Sequence, residues 1–144
     1  MIINQQLAAS TGHLNKDLWA TPDHIFKPLM EEFKFTLDPC CVPETAKCSR
    51  FFTPETNGLH QDWGGHNVFV NPPYSRGNID LWVKKCYEES ALALVVGLLP
   101  VSTSSTWFHD WVYGKAELRF YKVRIKFVGA PYNAPFSSML AIWR

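Results

Sequence analysis

Long apolar runs are missing from this chain. The longest, Ala91 to Val101, has 11 residues, against the roughly 20 that a bilayer-spanning helix needs, so a soluble protein is expected. The opening residues, MIINQQLAASTGHLNKDLW, contain no cationic segment leading into an apolar one, and no secretory leader is predicted. Cysteine is scarce, and Cys40, Cys41, Cys48 and Cys86 form neither a tandem C-x-x-C pattern nor a paired framework. Free thiols in a reducing cytosol follow. Cys40, Cys41 and Cys48 taken with His60 and His66 fit no standard structural zinc spacing. Charge of one sign is also missing: 14 Lys and Arg stand against 13 Asp and Glu, a net charge of +1. A nucleic-acid partner therefore has to be argued from where charges sit. No repeat, low-complexity tract or Gly/Ser linker divides the chain.

What is present is core material. Of 144 residues, 47% are hydrophobic and 15% aromatic, enough for one domain and too apolar for a disordered chain. Residues 1–18 are polar and weakly patterned and are expected to form a flexible N-terminal arm. The folded domain is expected over 19–144. Thr21-Pro22-Asp23 reads as a helix start, with Thr21 as the cap and Pro22 at the first helical position. That helix would bury Ile25, Phe26, Leu29, Met30 and Phe33, which recur at three- and four-residue spacing. Phe35 to Asp38 reads as a short strand ending in an acid, Cys48 to Thr53 as a second, and His66 to Asn71 as a third. A helix over Asn78 to Ala91 leads into a buried strand over Leu92 to Leu99, and the strand-helix-strand order implies a parallel pair. A helix over Ser105 to Tyr113 and strands over Glu117 to Tyr121 and Pro135 to Trp143 complete an open α/β sheet.

Ligands of open α/β sheets sit outside the carboxyl ends of the strands. The polar residues expected there are Asp38, Asn71 and those after Pro100. Asn71-Pro72-Pro73-Tyr74-Ser75 is the most informative stretch. Two prolines remove two backbone donors and fix φ twice, which leaves the Pro72 carbonyl as a rigid acceptor. Asn71 adds a side-chain carbonyl and Tyr74 a flat ring. Two acceptors and a stacking surface suit an aromatic amine. Charge placement adds to this: residues 115–144 carry Lys115, Arg119, Lys122, Arg124, Lys126 and Arg144 against Glu117 alone, net +5, and the rest of the chain is net −4. A basic end on a near-neutral protein fits a phosphate-contacting face.

Asn71-Pro-Pro-Tyr74 at a strand end resembles the signature of S-adenosylmethionine-dependent methyltransferases that act on amine or amide nitrogens, above all adenine N6 in DNA. Trp19-Ala-Thr-Pro22, Glu32-Phe33-x-Phe35-Thr-Leu-Asp38, Lys47-Cys48-x-Arg50-Phe51-Phe52, Asp62-Trp63, Leu98-Leu-Pro100, Trp107-Phe108 and Arg124-x-Lys126-Phe127 follow in the order seen in small phage-type DNA N-6-adenine methyltransferases of the Dam type. The resemblance implies a single, pared-down, Rossmann-like methyltransferase sheet with helices on both faces, acting in the bacterial host cytoplasm in a phage or prophage setting. It implies catalysis by Asn71, Pro72, Pro73 and Tyr74, with the two acceptors drawing the N6 hydrogens and Tyr74 stacking on a flipped base. It assigns Trp19, Thr21, Pro22 and Asp38 to the methionine end of S-adenosylmethionine, and Asp62 and Trp63 to the adenine end. Ser75, Arg124 and Lys126 would contact DNA, and Phe127 would offer a second stacking face. Two departures stand out. The turn Asp38-Pro-Cys-Cys-Val-Pro43 has no Gly-x-Gly, and the acid that holds the cofactor's ribose in that pattern has no clear counterpart, since spacing singles out neither Glu44 nor Glu55; nor is any segment long enough for a separate target-recognition domain. Two alternatives remain open at this point: a protein glutamine amide as the acceptor, or an inactive relative that binds nucleic acid.

Overall fold

The computed structural model describes residues 19–144; the arm expected over 1–18 lies outside them. Its helices and strands are α1 (Asp23–Phe33), β1 (Asn67–Val70), α2 (Asn78–Glu89), β2 (Leu94–Pro100), β3 (Glu117–Phe120) and β4 (Ser138–Trp143). The sheet order is β1-β2-β4-β3. β1 and β2 are parallel, with Val68 opposite Val95, as the strand-helix-strand order predicts. β4 runs antiparallel to both β2 and β3.

The two strands expected before β1 are present only as single-residue bridges. Leu37 pairs with Val68 and Asp38 with Phe51, both parallel. The Phe69 N–H donates to Leu37 O at 3.0 Å and the Phe52 N–H to Asp38 O at 3.0 Å, so this half of the sheet is two short extended stretches beside β1. Among the described residues no helix is long and apolar enough to cross a membrane.

Helices cover both faces, and side-chain alternation along the strands shows which helix covers which. Phe69 meets Phe26 of α1 edge to face, with centroids 5.1 Å apart. On the opposite face, Trp143 lies 3.3 Å from where a Cβ on Gly97 would sit. Its indole donates to Trp111 O at 2.8 Å, and Trp111 packs 5.5 Å from Tyr87 of α2.

α1 buries Phe26, Leu29 and Phe33, but Ile25 and Met30 are only half-buried. Thr21 does not cap it. The flanking residue is Pro22, whose carbonyl accepts from the Phe26 N–H at 3.0 Å. The Thr21 hydroxyl is buried without a partner among the described residues. The helix expected over Ser105 to Tyr113 is a shorter one that widens into a π turn over Phe108–Val112, closed by Tyr113 N–H to Phe108 O at 2.7 Å.

Part of the basic end is neutralised. Arg119 grips Glu32 through two hydrogen bonds of 2.7 Å and reaches Glu117 at 3.1 Å, and Arg144 reaches Glu117 at 2.7 Å. These cations fasten β3 and the end of β4 to α1 rather than facing a ligand. Burial raises the Cys41 and Cys86 thiols, and pushes Cys48 up to about 11, so these remain neutral thiols.

Gly58 is required by a close approach, since a Cβ there would lie 2.0 Å from the Pro39 carbonyl oxygen. Overpacking against backbone has no cheap relief, and Gly58→Ala is expected to cost about 2–3 kcal/mol. Denaturant unfolding checks this; an unchanged midpoint would contradict the packing described.

Candidate functional site

β1 ends at Val70 because the next ladder donors are prolines. The run Asn71 to Tyr74 therefore leaves the sheet at its carboxyl end, where the loop after Asp38 and the segment after Pro100 also emerge. Asn71 is oriented by a long-range contact, its Nδ2 donating to Trp19 O at 2.9 Å. With the donor half of the amide engaged, Oδ1 remains as an acceptor. Among the described residues no backbone N–H donates to the Pro72 carbonyl. Pro72 and Pro73 are buried.

Tyr74 is only 8% exposed. Its hydroxyl donates to Leu98 O at 2.6 Å, tying the motif to β2, and burial raises its pKa far above the usual phenol range. The edges of Phe127 and Phe136 meet its ring at 6.1 and 5.4 Å.

Two cavities flank the run. One is lined by Trp19, Thr21, Asp38, Thr45, Lys47 and Asn71, among others, and is only about 30 Å³. Asp38 is 3% exposed and accepts from the Lys47 N–H at 3.0 Å and the Cys40 N–H at 3.3 Å. Burial outweighs these bonds and raises its carboxyl from 3.8 to about 6. Thr21 and Trp19 line the same cavity, and the Thr21 hydroxyl and the Trp19 indole N–H are buried with no partner among the described residues. A buried acid and two such polar groups around one cavity suit a ligand that carries both donors and acceptors. The other cavity, about 560 Å³, is lined by Tyr74, Arg76, Asp80, Ser102, Trp107 and Phe136, among others, a size typical of small-molecule sites.

Several expected residues lie elsewhere. Asp62 is exposed and accepts from the Gly64 N–H at 2.8 Å, and Trp63 is fully buried, donating to Glu89 Oε1 and Gly58 O at 2.6 and 2.9 Å. Both precede β1, and neither lines the Asp38 cavity, although the Trp63 indole is bonded to Gly58, which packs against Pro39. Phe127 is 2% exposed, stacked on Trp19 at 6.0 Å. It braces Tyr74 and offers no open face. Ser75 accepts from the Asn78 side chain at 2.6 Å, and its carbonyl accepts from the Asn78 and Ile79 N–H groups, so it starts α2. Pro22 is buried at the start of α1. Arg124 and Lys126 are exposed beside Tyr132.

Sequence reasoning gave no role to Lys47, Thr45 or Gly58. Asn57-Gly58 signals a turn, but nothing local says that its backbone packs beneath Pro39.

An open mixed sheet with an acidic cavity and a rigid acceptor run at its carboxyl end defines a methyltransferase-like α/β protein. The family is more specific. A model of the DNA N-6-adenine-methyltransferase (Dam) family matches residues 8–143, and the chain belongs to that family. It is similar to a DNA N-6-adenine-methyltransferase of Haemophilus phage HP1 (strain HP1c1), 39% identical over 114 residues that cover 76% of this chain and 65% of that protein. It is also similar to one from Escherichia phage T1, 36% identical over 106 residues, 72% of this chain and 44% of that protein. The chain thus spans less than two thirds of either relative.

Folded Asp38 holds its proton more tightly than the unfolded chain does. Its ionisation therefore weighs against the fold as pH rises from about 4 through about 6, and a cation seated beside it offsets that loss. A ligand that carries an ammonium group into this cavity is expected to gain about tenfold in affinity from pH 5 to pH 7 as Asp38 ionises. Calorimetric titration checks this. Asp38→Asn should bind weakly at both pH values, and a flat profile in the parent would remove Asp38 from the site.

Proposed function

We propose that this chain methylates the exocyclic N6 of adenine in DNA, with S-adenosylmethionine as donor, in the cytoplasm of a phage-carrying bacterial host. The observation that carries the reading is the fixed Asn71 amide at the edge of the Asp38 cavity, in a run whose Tyr74 lines the larger cleft and whose next carbonyl is that of Pro72. The names of the phage relatives support adenine as the acceptor.

The residues of the Asp38 cavity fit the amino-acid end of S-adenosylmethionine. Asp38 would accept from its ammonium, and the unpartnered Thr21 hydroxyl and Trp19 indole N–H would donate to its carboxylate. When bound, the cofactor supplies an electrophilic methyl group on a sulfonium. The cavity is only about 30 Å³, so binding the amino-acid end requires its lining to open. Asp62 and Trp63 do not line the cavity that would take the amino-acid end.

Adenine N6 is a poor nucleophile because its lone pair is delocalised into the ring. Asn71 Oδ1 and the Pro72 carbonyl accept its two hydrogens, which draws the nitrogen toward a pyramidal geometry with a localised lone pair. No strong base is needed, because the amine loses a proton readily once it is alkylated. The contribution of the chain is orientation and charge stabilisation by fixed dipoles. The target base would enter from the cleft lined by Tyr74, Ser102 and Trp107, rotated out of the duplex. Pro73 holds the run rigid, and Tyr74 supplies the base-side wall.

Methyl transfer from labelled S-adenosylmethionine to unmethylated genomic DNA, read by nucleoside mass spectrometry, tests this directly. N6-methyladenine is expected, falling about 10²-fold or more in Asn71→Ala. An Asn71→Ala variant as active as the parent, or label on another nucleoside, would overturn the reading.

A further inference from the structure

Residues 122–134 form a projecting unit behind Tyr74. Ala134 N–H donates to Ile125 O at 2.8 Å, and Ala130 N–H to Phe127 O at 3.1 Å, closing a loop whose root is pinned from inside. Ile125 and Phe127 are 3% and 2% exposed, and Phe127 packs against both Trp19 and Tyr74. Over 124–127 exposure alternates as in extended backbone, with Arg124 and Lys126 outward and Ile125 and Phe127 inward, and Lys122 is exposed as well. Lys122, Arg124 and Lys126 carry the loop's charge, whereas Arg119 and Arg144 are engaged by Glu32 and Glu117. Arg124 and Lys126 line a shallow groove together with Pro131, Tyr132 and Asn133. Tyr132 is 79% exposed, the largest exposure of any large hydrophobic residue among those described. An aromatic ring held outside the core, in one groove with two cations on a rigid mount, matches a nucleic-acid strand: phosphates for the cations and a base face for the ring.

The geometry points to this groove as a duplex-DNA contact surface, in which Arg124 and Lys126 hold phosphates and Tyr132 stacks on a base exposed beside the target. This rests on the DNA reading above and extends it. The stacking face expected of Phe127 is supplied by Tyr132, because Phe127 is enclosed. The arrangement also gives a physical role to the Phe127–Tyr74 contact: the DNA-holding loop and the catalytic run move as one body, so gripping the strand fixes its position relative to Asn71.

Binding and activity separate this inference from the reading beneath it. Fluorescence anisotropy with a labelled 30-base-pair duplex, over a salt series, measures binding without methylation. Arg124→Ala with Lys126→Ala is expected to reduce the slope of log affinity against log salt by about 2. Tyr132→Ala is expected to weaken binding about tenfold at unchanged slope, and Tyr132→Phe to restore it, since the ring and not the hydroxyl does the stacking. In methyl transfer, Tyr132→Ala should lose more activity on duplex DNA than on heat-denatured DNA, where no base has to be unstacked. Parental binding by both the double variant and Tyr132→Ala, each with an unchanged melting temperature, overturns the groove. So does a Tyr132→Phe variant as weak as Tyr132→Ala. DNA binding with these dependences but no methylation by the parent would leave the groove standing and defeat the proposed activity instead.

Discussion

Two adjacent prolines at the end of a buried parallel strand set the layout of this protein. Pro72 and Pro73 cannot continue the β1 ladder, so the chain leaves the sheet with Asn71 as its last residue bearing a donor. From that one termination follow the separation of two cavities, a backbone carbonyl at the carboxyl end that no backbone N–H among the described residues engages, and the turn at Ser75 that leads into α2. The Asn71 amide then ties the strand end to Trp19 across 52 positions of sequence. Trp19 stacks on Phe127, which braces Tyr74, and Tyr74 reaches back to β2 through Leu98. The acceptor pair is thus held from four directions by groups that make no contact with solvent chemistry, which is the preorganisation that orientation-based catalysis requires.

Asp38 shows the opposite balance. A carboxylate at 3% exposure, with its pKa raised to about 6 by burial, opposes folding at neutral pH. Such a group is retained when a ligand cation repays the desolvation. The loop around it does without the usual glycine pair: backbone N–H groups of Cys40 and Lys47 fold onto the carboxylate, and the close approach is made by Gly58, from a different segment, against Pro39. The glycine is displaced in sequence but acts against the same loop.

Much of this was legible in the residues. The run Val68 to Val70 between turn residues and two prolines marks a buried strand without ambiguity, and the apolar spacing of Phe26, Leu29 and Phe33 marks α1 even though Pro28 interrupts it. An interior proline is tolerated there because burial of that stripe against Phe35 and Phe69 outweighs the lost hydrogen bond. The parallel pairing of β1 and β2 followed from chain order alone. The misplacements share a cause. Asp62 and Trp63 stand near β1 in sequence, but neither lines the Asp38 cavity, and Lys85 and Glu89 enclose Trp63. Phe127 lies between two cations in sequence and points the other way in space. Thr21 has the composition of a cap, yet its hydroxyl faces a cavity. In each case residue type was read correctly and orientation was not, because orientation is set by partners distant in sequence.

The central claim is that the Asn71–Tyr74 run is a wall with the methyl donor on one side and the acceptor on the other. A crystal structure of the protein grown with S-adenosylhomocysteine tests it most directly. Density for the amino-acid end between Asp38 and Thr21, with the Ser102–Trp107 cleft left open, is the predicted result. Density in the Ser102–Trp107 cleft with the Asp38 cavity still closed would contradict it.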